Sequence, residues 1–241
     1  MTINSTRTVR DLVTEMPGAT RIFEKFKIDY CCGGNASLTE ACTKAGVDVQ
    51  AIENLLDSVA STKDVADVDF NELKLTSLID HIVTKHHVYT KDEMIRLDAL
   101  MAKVVSVHGA NHPELQQASG LFRKLYAELT PHMFKEEQIL FPYIVELERS
   151  ASDDLRLPFA PFGTVNNPVR MMMMEHDAAG EILRELRKVT SDYAVPADVC
   201  ISYKTLYEAL EALESDLHQH IHLENNILFP KAIECERMIA G

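Results

Sequence analysis

The 241-residue sequence has no tryptophan, only five cysteines, and nine each of glycine and proline. So few cysteines, and an odd number, rule against a disulfide framework and fit a reducing compartment. Basic residues are also scarce: 24 Lys and Arg stand against 37 Asp and Glu, a formal net charge of −13. That balance argues against a nucleic-acid or anionic-membrane partner. Long apolar runs are missing too. Apolar residues make up 46%, yet no stretch approaches the roughly 18 uninterrupted apolar residues of a membrane span. The N-terminus MTINSTRTVRDL has no apolar core to mark it for export, so the expected location is the cytoplasm. What the chain has in excess is histidine, ten in all.

Strand signals are nearly absent, and the expectation is an all-α protein. Residues 1–60 read as a small helical domain. In it Pro17 opens a short helix ending near Phe26, Ser37 caps Leu38–Ala45 with a stop at Gly46, and Asp48 caps Val49–Ala60. Residues 61–71, polar and acidic, read as a linker. Residues 72–241 read as an antiparallel four-helix bundle with up-down-up-down order. Asn71 starts its first helix, which ends near Val107. Pro113 starts a second, kinked at Pro131 and reaching Phe141–Pro142. Pro168 starts a third, to about Thr190, and a fourth ends near Ile233.

Two segments of the bundle align without gaps: HMFKEEQILFP from His132 and HIHLENNILFP from His220, 88 residues apart. The bundle therefore reads as a duplicated helical hairpin. In each copy a histidine precedes a glutamate by four residues, His132 with Glu136 and His220 with Glu224. That spacing puts imidazole and carboxylate on one helix face, able to reach a common metal. The stripe Leu213, Leu217, His220, Glu224, Ile227 is otherwise apolar, and a charge inserted there is costly unless paired or metal-bound. His87 lies 45 residues before His132, and His176 lies 44 before His220. Both pairs are centred on predicted turns, so hairpin geometry sets His87 level with His132, and His176 level with His220. Four histidines and two glutamates at one height suit a pair of irons. Two six-coordinate irons offer about 12 positions; four imidazoles, two bridging carboxylates and a bridging oxygen leave about two open for a small ligand.

His86 competes with His87, but the 45-residue spacing favours His87. His108 reads as a helix-end residue, because 21 residues of continuous helix would hold it about 31 Å from His87. Glu175 is a candidate supporting or additional ligand. His81, His112, His218 and His222 are expected on solvated faces. Cys31–Cys32, in DYCCGG, is either a plain turn or a pair of thiols exposed by Gly33 and Gly34. Exposed, the pair would suit redox exchange, metal transfer or docking. Cys42, Cys200 and Cys235 read as structural.

DYCCGG in a short helical domain, followed by the two H-x-x-x-E segments and EHDAAGE around His176, resembles the bacterial RIC (repair of iron centres) family along essentially the whole chain. The resemblance implies a hemerythrin-like domain with a non-haem di-iron centre, oxo- and carboxylate-bridged. His87, His132, Glu136, His176, His220 and Glu224 fall at its ligand positions, and Cys31 and Cys32 at its paired-cysteine position. It also implies repair of iron–sulfur clusters under nitrosative or oxidative stress. The partners would then be damaged iron–sulfur proteins or their apo forms, with nitric oxide or oxygen as small ligands. His108 matches a family histidine sometimes considered a ligand, against the distance argument above. Where oxygen-carrying hemerythrins have a further histidine four residues after the one matching His176, this chain has Gly180. The alternatives are a di-iron reductase of nitric oxide or peroxide, and an oxygen or nitric oxide sensor or carrier. Exposed thiols would permit a homodimer.

Overall fold

The computed structural model describes residues 4–31, 33–61, 69–153 and 155–241. Cys32 and most of the 61–71 segment therefore lie outside the described residues. Among the described residues the chain is helical and forms no strand; one isolated bridge joins Thr8 to Ser37.

Four short helices come first: α1 (Val9–Glu15), α2 (Ala19–Lys25), α3 (Leu38–Ala45) and α4 (Val49–Ser61). Local capping explains them. The Ser37 side chain accepts from the Glu40 amide while the Glu40 carboxylate accepts from the Ser37 amide, and Gly46 at φ +70° closes α3. Asp48 accepts from the Gln50 and Ala51 amides at the start of α4. Helix α1 is additional to the helices expected from the sequence; Thr8 caps it by accepting from the Asp11 amide. Val9, Leu12, Phe23, Leu38, Ile52 and Leu56 form the core of these helices.

The bundle follows. Its first long helix comprises α5 (Leu75–His81), a π turn Ile82–His87 and α6 (Val88–His108). The second comprises α7 (Glu114–Lys135), a π turn Glu136–Leu140 and α8 (Phe141–Ser152); the third is α9 (Asn166–Val189). The fourth comprises α10 (Ile201–Leu223), a π turn Glu224–Leu228 and α11 (Phe229–Ala240). The first starts at Leu75 rather than Asn71, because the Glu148 carboxylate accepts from the Leu75 and Thr76 amides and caps it from another helix. The second and fourth outrun expectation, to Ser152 and Ala240. Pro142 and Pro230 fall in the first turn after a π turn, where the missing amide hydrogen costs little.

Two apolar clusters fill the bundle. One includes Met94, Phe122, Met133, Ala179, Leu213 and Leu217; the other includes Ile82, Leu140, Met172, Leu223, Ile227 and Phe229. On each long helix the boundary between them falls at His87, at His132–Glu136, at His176 or at His220–Glu224. A layer of buried polar side chains thus crosses the bundle between two hydrophobic halves.

Candidate metal centre

All six predicted donors meet in that layer, each no more than 2% exposed. They form two overlapping groups: His87, Glu136, His220 and Glu224 in one, and His132, Glu136, His176 and Glu224 in the other. Both glutamates belong to both groups. The Glu224 Oε1 atom lies 3.1 Å from His220 Nε2 and 4.0 Å from His87 Nε2, while its Oε2 lies 3.1 Å from His176 Nε2. The Glu136 Oε2 atom lies 3.5 Å from His87 Nε2 and 3.4 Å from His132 Nε2.

The six side chains lie at one height along the bundle. The close pairs, however, run between hairpins rather than within them: His87 and His220 Nε2 atoms are 3.1 Å apart, and those of His132 and His176 are 3.0 Å apart. Helix packing, with α6 on α10 and α7 on α9, decides this. Three of the four ligand-bearing helices carry a π turn at the site. The wider coil gives up regular hydrogen bonding to re-aim side chains, and such turns concentrate at functional sites.

The outer nitrogens of three imidazoles are held. His87 Nδ1 meets Glu137 at 2.7 Å, His132 Nδ1 meets Glu175 at 2.8 Å, and His176 Nδ1 meets Asn225 Oδ1 at 2.9 Å. Lys91 pairs with Glu137 and Lys135 with Glu175. Such partners fix the tautomer that leaves the inner nitrogen as a lone-pair donor. Glu175 therefore supports a histidine rather than joining the cluster. Glu137 and Asn225 were not legible in the sequence: each is defined by the helix it faces.

Burial dominates the electrostatics. It lowers His87 to about 4, aided by the neighbouring His220, and His132 to about 4 against the pull of Glu175. Burial also raises Glu136 well above the usual carboxylate range, reinforced by Glu224. At Glu224 burial pushes the same way, but His220 and His176 outweigh it and hold that carboxylate low. All four carboxylate oxygens, and His220 Nδ1, are buried without a hydrogen-bond partner. Two fully buried carboxylates whose nearest polar neighbours are imidazoles are costly in a protein interior. Cations remove that cost, and mixed imidazole and carboxylate donors suit first-row divalent ions such as iron.

The remaining candidates divide. His86 points away from the cluster, with Nδ1 3.0 Å from Asp216 and its ring stacked on His220. His108 stands at the far end of α6, as the distance argument requires. His112 and His222 are buried rather than solvated, and His218 bonds to Glu24 at 3.2 Å. The physical reason for the last two is that Tyr30, in the segment between α2 and α3, packs against both rings. Cys31 is 4% exposed, contrary to the expectation of an open thiol. Gly33 and Gly34 serve close packing instead: a Cβ on Gly34 would lie 2.8 Å from the Tyr30 carbonyl oxygen, and the Gly33 amide donates to Asp29. Cys31 still lines a cavity of about 590 Å³, together with Asp29, Gly180, Arg184, Glu214 and His218. Cys32 lies outside the described residues. Cys42 and Cys235 are buried as expected, but Cys200 is exposed at the start of α10.

A four-helix bundle with paired His-Glu groups across its core defines a hemerythrin-type metal-binding protein. Residues 78–232 match the hemerythrin HHE cation binding domain, and residues 5–60 match a domain of unknown function (DUF542). The chain is 35% identical to the iron-sulfur cluster repair protein YtfE of Enterobacter sp., over 94% of this chain and 96% of the relative. It is 31% identical to the iron-sulfur cluster repair protein ScdA of Staphylococcus haemolyticus, over 92% and 96%. A Haemophilus influenzae relative named "Probable iron-sulfur cluster repair protein" is 35% identical, over 92% and 95%. The chain belongs to the RIC family of iron–sulfur cluster repair proteins. Among the described residues no helix is long and apolar enough to cross a membrane.

Proposed function

We propose that this protein holds two iron ions between His87, His132, Glu136, His176, His220 and Glu224, and gives iron to damaged iron–sulfur clusters. The observation that carries the reading is the convergence of four imidazole nitrogens on two buried carboxylates that have no other partner. Bound there, iron would supply both transferable metal and redox capacity toward nitric oxide. The chain's own residues favour release over permanent retention. Glu136 and Glu224 each serve both positions, so a shift of one carboxylate loosens both. Gly180, four residues after His176, offers no further imidazole.

Cys31 supplies the second half of the reading. The cavity it lines also touches Gly180, about 6 Å along α9 from His176 by helical rise. A sulfur donor beside that face suits capture of iron for handover, with an apo iron–sulfur protein as recipient. The test is transfer of isotopically labelled iron from the loaded protein to an apo cluster protein, followed by recovery of the recipient's cluster absorbance. Glu224→Gln and Cys31→Ser should each slow transfer. Unchanged transfer in both variants would overturn the donation reading.

A further inference from the structure

The turn end of the bundle, opposite the metal layer, holds a second group of reactive side chains. Cys200 precedes α10 with an extended backbone and is exposed. His108, the last residue of α6, places Nε2 3.1 Å from Cys200 Sγ. That imidazole is itself held: its ring packs edge-on against Tyr203 and His112 at 5.6 and 6.1 Å. Glu114 fixes both neighbours, accepting from Tyr203 Oη at 3.1 Å and meeting His112 Nδ1 at 2.9 Å. Asp198 approaches the other side of His112, at 3.5 Å. A nucleophile within hydrogen-bond reach of an imidazole whose position is set by further groups is the arrangement that activates a thiol.

We propose that Cys200 is a modification site, its exposed sulfur activated by His108 to exchange with low-molecular-mass disulfides of the glutathione class and to carry the resulting mixed disulfide. The hydrogen bond from His108, and next the amides of Tyr203 and Ser202, draw the thiol down to about 7. The thiolate attacks one sulfur of the small disulfide. A new sulfur–sulfur bond forms at Cys200, the old one breaks, and the second half leaves as a thiolate that takes a proton from water. Cys200 is oxidised by the disulfide, which is itself reduced, and the electron pair departs with the leaving sulfur. Cys42 and Cys235, both buried, offer no comparable access.

The test uses the full-length protein, with iodoacetamide and oxidised glutathione as probes and peptide mass analysis to assign the modified cysteine. The expected alkylation midpoint at Cys200 is near pH 7, against about 8.5 for an ordinary cysteine. At pH 6 the gain in thiolate exceeds the loss of intrinsic nucleophilicity, leaving a rate roughly sixfold above an ordinary thiol. Glutathione should appear on Cys200 of the folded protein. His108→Ala should move the midpoint up by half a unit or more, and His108→Gln, which restores a neutral donor, should recover part of that shift. A wild-type midpoint near 8.5, a midpoint unmoved in His108→Ala, or glutathione on Cys200 only after unfolding would each overturn the proposal.

Discussion

Asn225→Leu isolates the contribution of a neutral side chain that touches no metal position. The substitution keeps the branched side-chain skeleton but removes the oxygen that meets His176 Nδ1 at 2.9 Å. Two independent arguments give the size of the effect. Loss of a partner that orients a ligating histidine typically lowers metal affinity about 10- to 100-fold, or about 1.4 to 2.7 kcal/mol. Leaving a buried N–H without an acceptor costs about 1 to 3 kcal/mol by itself. The two agree, because a ring that rotates to recover a hydrogen bond moves Nε2 away from Glu224 and His132. The expected outcome is selective: affinity falls at the position shared by His132 and His176, and less at the one shared by His87 and His220. The assay is competition with a graded iron chelator, read as iron per chain, with circular dichroism to show that the bundle stays helical. Asn225→Asp, which keeps the acceptor, should restore wild-type retention. A folded Asn225→Leu protein with an unchanged chelator curve would refute the reasoning that His176 acts through a fixed ring.

Removing one imidazole outright, His176→Ala, should lower bound iron by elemental analysis, whereas His108→Ala should leave it unchanged; equal losses in both would mean that the far histidine takes part. In metal-free protein, His87 and His132 titrate near 4 instead of near 6.5. On these two groups the unfolded chain takes up protons before the folded one does, so their contribution lowers the melting temperature as pH drops from about 6.5 toward 4. The raised Glu136 carboxyl acts in the opposite sense as pH rises, and the comparison is therefore made in Glu136→Gln protein, which isolates the histidine limb. A flat acid limb would contradict their burial as neutral groups. Gly34→Ala puts a Cβ 2.8 Å from the Tyr30 carbonyl oxygen, an overpacking that should cost about 1–3 kcal/mol. Thermal melting should register the loss, with amide exchange rising around Tyr30 and Cys31, and an unperturbed melt would show that this loop gives way freely.

Helices dominate because the sequence carries helical periodicity with caps such as Ser37 and stops such as Gly46, and these act within a few residues. The duplication also shows in the chain: two H-x-x-x-E segments 88 residues apart put imidazole and carboxylate on one face. Equal spacing from the turns then selected His87 over His86 and kept His108 out, since helical rise alone fixes such heights. Contacts between elements distant in sequence obey no such rule. Helix packing, not hairpin register, paired His87 with His220 and His132 with His176. Packing also gave Asn225 and Glu137 their imidazole partners, covered His218 and His222 with Tyr30, and buried Cys31. It brought Cys200 to His108 across 92 residues. Periodicity and capping are properties of one helix and can be read along the chain. Which residue on the next helix fills the space opposite is decided only when the two apolar halves of the bundle close around the polar layer.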